Sequence, residues 1–341
     1  MSITIGIGEV GMKLANEFDD KAYLFSTAEQ DSFLFKKKKI YQFETIGGSK
    51  RFSTGRRIWE NKFDELKDVL KNVNNERVHI FSSTSGGSGS SSLEIITRLL
   101  LDNNNKVFIF ATLPFDEEGL PALPNSVQCL QSLIPLLPRI SVMLFDNQIM
   151  MKLFESDWVR INSYIVKRSD FVVNLLAKYS LDEYTSQSLD QSEIDSVVYE
   201  AGFVDASDSF IEEEEPVFEF GKLDNKTKNL LIAMYVDVGI KSKEGVDKYQ
   251  TILTNQIQHM SKKVKNARIV SGMLRASVKK SGSSKYSDRA WFLVASGLNP
   301  DKYLKHLERM RDKALKKAQA YAEKNKADDL ASKKETKMLD I

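Results

Sequence analysis

Ser85-Gly86-Gly87-Ser88-Gly89-Ser90 is the stretch of this chain best suited to hold an anion. It follows an apolar run (Val78, Ile80, Phe81) and leads into one of helical spacing (Leu93, Ile95, Ile96, Leu99, Leu100). Small residues between a buried strand and an amphipathic helix let the backbone approach a ligand closely, with N–H groups aimed at it. That is the local chemistry of a phosphate cradle. No Gly-Lys-Ser/Thr ending follows, so no lysine of the P-loop kind reaches the phosphates from here. A flexible linker is the alternative, but linkers seldom fall abruptly between a strand and a helix.

Other stretches could share that chemistry. Gly6-Ile7-Gly8-Glu9-Val10-Gly11 ends a short strand (residues 3–7) and opens a helix near Met12, in the Gly-x-Gly-x-x-Gly spacing of nucleotide-binding strand–turn–helix units. A second strand, residues 22–25, ends in a polar loop where Glu29 or Asp31 could take a ribose hydroxyl or simply start a helix. Gly47 and Gly48, with Lys50 and Arg51, form a basic loop before a helix-like run at 58–69. Such a loop could close over a terminal phosphate. Asp190 and Glu193 stand three apart on the first turn of a helix. There they either favour the helix dipole or place two carboxylates on one face, able to polarise a water. The lysine run at 36–39 reads as a solvated edge.

Strands expected at 77–81, 106–111 and 140–145 alternate with helical patterns, which gives a doubly wound parallel sheet with ligand loops at the strand carboxyl ends. Every loop named before residue 150 lies on that edge. From about 155 to 179, Trp158, Ile161, Ile165, Val172, Leu176 and Tyr179 recur at helical spacing, one long helix between two domains. Strand-like runs at 217–220, 268–276 and 291–297 then give a smaller α/β domain, with a hairpin-type connection at 279–285. From Pro300 a charged helix with Tyr303, Leu304, Leu307 and Met310 on one face fades into an exposed tail. The expected units are 1–154, 155–180, 181–298 and 299–341.

The 341 residues are 42% hydrophobic, enough for one large core or two ordinary ones. Forty-nine basic residues against 47 acidic ones leave a net charge of +2, so no whole-chain field points to nucleic acid. One cysteine excludes a disulfide framework, and three scattered histidines offer no zinc site. Without a leader-like or membrane-length apolar stretch, a soluble cytoplasmic protein is expected.

Taken together these motifs resemble the tubulin/FtsZ superfamily of GTPases, nearest to its plasmid and bacteriophage branch of TubZ and PhuZ type. Ser85 to Ser91 resembles the phosphate signature Gly-Gly-Gly-Thr-Gly-Ser-Gly: Gly86, Gly87 and Gly89 match, and Ser88 stands for Thr. Gly6, Gly8 and Gly11 match the first glycine loop, with Met12 where an Asn usually contacts guanine. Residues 112–119 resemble the ribose loop, Glu118 matching its Glu, while Ala122 stands where an Arg is expected. Asp146-Asn147 matches the next loop, Asn162 the Asn that reads guanine, and Asp190 and Glu193 the two acids of the synergy loop.

The resemblance implies GTP or GDP with Mg²⁺ at the glycine loops. It also implies head-to-tail self-assembly, with hydrolysis completed by a neighbour's Asp190 and Glu193, and a use in moving plasmid or phage DNA. Lys302, Lys305, Arg309, Arg311, Lys313, Lys316 and Lys317 are a solvated face or a surface for a DNA-bound adaptor. Two other readings stand beside it: a nucleotide-binding scaffold without hydrolysis, and an NAD(P)-dependent oxidoreductase resting on Gly6 to Gly11 and Glu29.

Overall fold

The computed structural model describes residues 2–35, 40–44, 47–115, 117–118, 121–175, 189–199, 202–208, 223–224, 227–237, 243–276, 291–298, 305–306 and 308–323. The lysine run at 36–39, the strand expected at 217–220, the connection at 279–285, Leu176, Tyr179 and the tail beyond 323 lie outside them.

Among the described residues ten strands form one sheet: β1 (Ser2–Ile7), β2 (Tyr23–Ser26), β3 (Ile40–Gln42), β4 (Arg77–Ser83), β5 (Lys106–Leu113), β6 (Ile140–Asp146), β7 (Gly202–Asp208), β8 (Asn229–Asp237), β9 (Arg268–Ala276) and β10 (Trp291–Leu298). Their order is β3-β2-β1-β4-β5-β6-β7-β10-β8-β9. The first seven run parallel, in the doubly wound order around β1 and β4, and β10 alone opposes its neighbours β7 and β8. β6 pairs with β7 at Ser141–Gly202 and Val142–Phe203, so the strands before and after the central helix share one sheet.

Alternation along β4 shows why helices cover both faces. Val78 and Ile80 belong to one buried cluster with Ile5, Ile7, Phe25, Trp59 and Ile109. Phe81 belongs to the other, with Met12, Phe108, Phe110, Ile161, Ile165 and Ile194. Each such side chain taken fully out of water contributes about 1.5–3 kcal/mol. On the first face lie α3 (Phe52–Asn61), α4 (Phe63–Leu70) and α5 (Gly87–Asp102), and on the second α1 (Gly8–Phe18), α8 (Trp158–Asp170) and α9 (Gln191–Val198). The short α2 (Glu29–Ser32), α6 (Ala122–Leu133), α7 (Asn147–Leu153), α10 (Lys243–Lys263) and α11 (308–323) complete the described α-helices. Gly11 sets the closeness of α1 to the sheet, since a Cβ there would lie 2.3 Å from the carbonyl oxygen of Phe81.

Several boundaries differ from expectation. The run at 58–69 is two helices meeting at Lys62. The central helix starts at Trp158, because Glu155 and Ser156 sit at φ 52° and 63° and turn the chain after α7. Asp157 then caps α8 by accepting from the N–H groups of Val159 and Arg160. The helix passes at Phe171–Leu175 into a π-helical turn. Trp158, expected on the apolar stripe, is 42% exposed, while Ile161, Ile165 and Val172 are buried as the spacing requires.

Candidate functional site

The strand order reverses at β1 and β4, where parallel α/β sheets leave a crevice beyond the strand ends. Ile7 pairs with Ser82 there, so the two glycine loops leave the sheet side by side. Gly8 turns the chain at φ +69°, and a Cβ on it would come within 3.3 Å of the Gly89 nitrogen. Gly8 is therefore brought against Gly89, backbone to backbone.

Neither helix that starts here is capped by a side chain. The N-cap of α1 is Ile7 and that of α5 is Gly86, and neither accepts a side-chain cap bond. The first N–H groups of both helices thus have no partner within the helix and carry the positive end of its dipole. In front of Gly86 lies open space, since a Cβ built there meets nothing within 4 Å. That is the room an anion needs.

Ser88 is half-buried, shares a hydrogen bond with Thr27, and offers its carbonyl to the indole N–H of Trp59 at 3.1 Å. The Ser90 hydroxyl donates to the Gly86 carbonyl and that of Ser85 to Glu118, with Ser83 2.7 Å from Ser85. Glu118 thereby reaches the phosphate loop, and its second oxygen is buried without a partner. So are the hydroxyl oxygen of Thr112, at the end of β5, and the side-chain oxygen of Asn147, just past β6. These atoms at the end of the parallel sheet are free to hydrogen-bond a polar ligand.

Other expected residues sit around this edge in different ways. Glu9 is exposed and pairs with Lys13 at 2.5 Å. Met12 is fully buried in the core, so its side chain cannot touch a ligand, and an apolar side chain here serves packing. Asp146 caps α7, accepting from Gln148 N–H at 2.8 Å. Asn162 is half-buried on α8, one turn beyond the exposed Trp158, whose ring lies 5.6 Å from that of Phe115. An aromatic ring and an amide at i and i+4 on one face can stack on and hydrogen-bond a planar base. Trp158 is the residue sequence reasoning missed at this edge, having been placed on the buried stripe; its signal was an aromatic four before Asn162.

Gly47 and Gly48 are buried, while Ser49, Lys50 and Arg51 are exposed. Arg51 N–H donates to the Gly48 carbonyl at 2.8 Å, with Ser49 at φ 49° and Lys50 at φ 54° between them. Two non-glycine residues in the left-handed region cost about 1–2 kcal/mol each. Glu29 opens α2, and Asp31 takes the hydroxyl of Ser26. A separate groove on the flank of α5, lined by Arg56, Glu94 and Arg98, has its charges paired internally: both guanidiniums bond Glu94.

Asp190 and Glu193 are not at this edge. They form a capping box on α9: Asp190 accepts from the Glu193 N–H at 2.8 Å and Glu193 from the Asp190 N–H at 3.3 Å. Hydrogen bonds from the Ser192 hydroxyl and then the Glu193 N–H hold the Asp190 carboxyl below its ordinary value. Asp195, farther along α9, pairs with Arg77 at 2.9 Å and accepts from Gln191, which also reaches the Val173 carbonyl. Arg77 begins β4 and Ser83 ends it. Asp195 of α9 thus sits at the opposite end of β4 from the Gly86–Gly89 loop, a strand of about 20 Å. On α11, Met310 and Ala314 pack on Leu123 and Val127 of α6, and Lys305, Arg309, Arg311, Lys313 and Lys316 face solvent.

Among the described residues no helix is long and apolar enough to cross a membrane. Residues 14–155 match the model of the Tubulin/FtsZ family, GTPase domain. The tubulin-like protein CetZ of Methanothrix thermoacetophila is 30% identical over 135 residues, which is 38% of this chain and 36% of that protein. The chain therefore matches about a third of that relative's length. A GTPγS-form protofilament of TubZ from Bacillus thuringiensis serovar israelensis superimposes with a TM-score of 0.71 at 14% identity, over 94% of each chain. CetZ from Methanosaeta thermophila does so with a TM-score of 0.63 at 17% identity, over 99% of this chain and 98% of that one. Residues 14–155 are thus similar to the GTPase domain of the Tubulin/FtsZ family, and the chain shares the fold of these solved structures.

Proposed function

We propose that this chain binds GTP at the β1–β4 edge and hydrolyses it when a second copy stacks on that edge, building head-to-tail filaments. The observation that carries the reading is the distance between its two halves. The uncapped helix ends at Gly8 and Gly86–Gly89 can hold phosphates, but Asp190 and Glu193 cap α9, whose Asp195 pairs with Arg77 at the other end of β4, a strand of about 20 Å. A chain whose acids cannot reach its own nucleotide can still serve the next one, and such a heterologous contact does not close.

Each group then has a part. N–H groups of Gly87, Ser88 and Gly89 spread the phosphate charge. Lys50 and Arg51 meet the terminal phosphate, Glu118 takes the ribose, and Trp158, Asn162 and Asn147 hold the base. Mg²⁺ enters with the nucleotide as part of the substrate, bound chiefly through phosphate oxygens. Asp190, kept ionised by its bonds to Ser192 and Glu193, is a weak base suited to orienting a water. Glu193 caps through a single long bond from one oxygen, and its other oxygen is the one to receive the water's proton. The exposed basic face of α11 gives such filaments a surface for an acidic adaptor, and moving plasmid or phage DNA is the use the resemblance implies.

One observation favours a second reading, a nucleotide-dependent scaffold that does not hydrolyse: both acids are already engaged in the capping box. GTP turnover measured against protein concentration separates the two. Assembly-coupled hydrolysis rises steeply above a critical concentration. Asp190→Asn and Glu193→Gln keep capping groups of the same shape, so they should lose about 10²–10⁴-fold in turnover while GTP binding and pelleting persist. Undiminished turnover in Glu193→Gln removes that residue from the chemistry, and no turnover in the wild type favours the scaffold.

A further inference from the structure

Asn125, on the first turn of α6, is 4% exposed and has all its side-chain hydrogen-bonding atoms near three separate backbone groups. Its Nδ2 donates to the carbonyls of Lys50 at 2.9 Å and of Ser85 at 2.8 Å, and its Oδ1 accepts from the N–H of Phe52 at 3.0 Å. Two carbonyls and one N–H fix the orientation of the amide. The two groups it grips on the basic loop flank Arg51, at the exit of the left-handed turn Gly48–Arg51. The third belongs to the phosphate loop. One buried side chain thus ties a strained surface turn to the residue that opens the cradle.

The backbone around it has no slack. A Cβ on Gly48 would lie 3.1 Å from the carbonyl carbon of Gly87, and one on Gly55 2.2 Å from the Gly87 oxygen. The turn and the start of α3 therefore rest directly on the first residue of α5. A left-handed conformation at Ser49 and Lys50 persists only where the surroundings over-determine it. Glycine packing fixes the entry to the turn, and Asn125 fixes the exit. The neighbouring Ser126 braces the same loop, its hydroxyl 2.7 Å from that of Thr84, which in turn donates to the Thr112 carbonyl at 2.9 Å.

We infer that Asn125 is a positioning residue for the terminal phosphate: by latching the Gly48–Arg51 turn to Ser85, it holds Lys50 and Arg51 at the phosphate edge. The inference rests on the nucleotide reading proposed above and makes a claim that reading does not contain. Loss of the latch must weaken a nucleoside triphosphate more than a diphosphate, because the cradle at Gly86–Gly89 stays in place while the basic turn swings free. A residue that only stabilised the fold would weaken both alike.

The test titrates the full chain with a slowly hydrolysed GTP analogue and with GDP. In Asn125→Ala, triphosphate affinity should fall about tenfold, the size of one or two lost net hydrogen bonds, with GDP affinity changed less than about twofold. Ser49→Gly added to Asn125→Ala should recover much of that loss, since glycine holds the left-handed turn without help. Ser49→Pro supplies the same answer from the other side without touching α6. Proline cannot adopt φ 49°, and Ser49 is exposed, so this variant should reproduce the triphosphate-selective loss even if Asn125→Ala fails to fold. Equal losses for the two nucleotides, or no loss in Ser49→Pro, would overturn the latch while leaving the site intact. A wild-type chain that binds neither nucleotide overturns the nucleotide reading, and the latch with it.

Discussion

Two helix starts in this chain solve the same problem in opposite ways. At α5 the cap residue is Gly86, and the first N–H groups are left for something outside the protein. At α9 the cap is Asp190 with Glu193 in support, and the helix end is complete as it stands. The incomplete end faces open space at one edge of the sheet, and the complete end sits toward the other. Strand β4 joins them, with Ser83 leading to the cradle and Arg77 holding Asp195. An end that lacks a partner is suited to binding a ligand. An end that satisfies itself while keeping two carboxylates at the surface is suited to completing another molecule's site.

The comparison can be broken most strongly through the middle of β4. His79 is buried there, its Nε2 2.6 Å from the hydroxyl of Tyr199, just past the end of α9. Burial, reinforced by the charge of Arg77, lowers the imidazole to about 4 from 6.5. The unfolded chain therefore binds this proton first, and stability is lost as pH falls from about 6.5 toward 4, by roughly 3 kcal/mol. Above pH 6.5 this contribution is constant. Denaturant melts between pH 7 and 4.5, with His79→Phe as reference, read the effect directly. A variant slope equal to the wild-type slope assigns the acid loss to other groups. Hydrogen exchange over the same range should open α9 before α5.

A smaller effect tests the open end. Gly86 has φ −77° and ψ 158°, a conformation any residue adopts, and a Cβ there meets nothing. Gly86→Val should leave the melting temperature nearly unchanged and lower GTP affinity by about thirtyfold, roughly 2 kcal/mol, because the side chain fills the phosphate's space. Unaltered affinity would move the phosphates away from α5. Gly11→Val gives the contrast, since its Cβ collides with the Phe81 carbonyl and harms the fold itself.

What the sequence allowed to be read follows from range. Glycine spacing and apolar runs are local, so β1, β4, β5, β6 and the loops after them came out with the right type and edge. The acids at 190 and 193 were legible as a helix start, which the capping box bears out, whereas their distance from the glycine loops depends on the sheet and does not appear in any spacing. Trp158 was misread because its place in the helical repeat suggested burial. Glu155 and Ser156, left-handed without being glycine, start the helix late and leave its first turn proud of the core. Asn125 gave no signal at all. Its three partners come from residues 40 to 75 positions away, and a single amide in a helix has no pattern. Nor did the spacing predict that one sheet would carry all ten strands, since the β6–β7 pairing that joins its halves is only two residue pairs long.

The smallest effect separates the two uses of Asp190. As a cap, its replacement by Ala should cost about 1 kcal/mol, and Asp190→Ser, which restores a capping oxygen, should cost only a few tenths. As a catalytic group it cannot be replaced by either. Thermal melts should therefore rank wild type and Ser together above Ala, by about 2 °C or less in a chain of this size. GTP turnover should instead rank Ser and Ala together, far below wild type. If turnover followed the melts, so that Ser restored both, the acid at 190 would matter only for holding α9. The two ends of β4 would then differ in structure without dividing the chemistry between them.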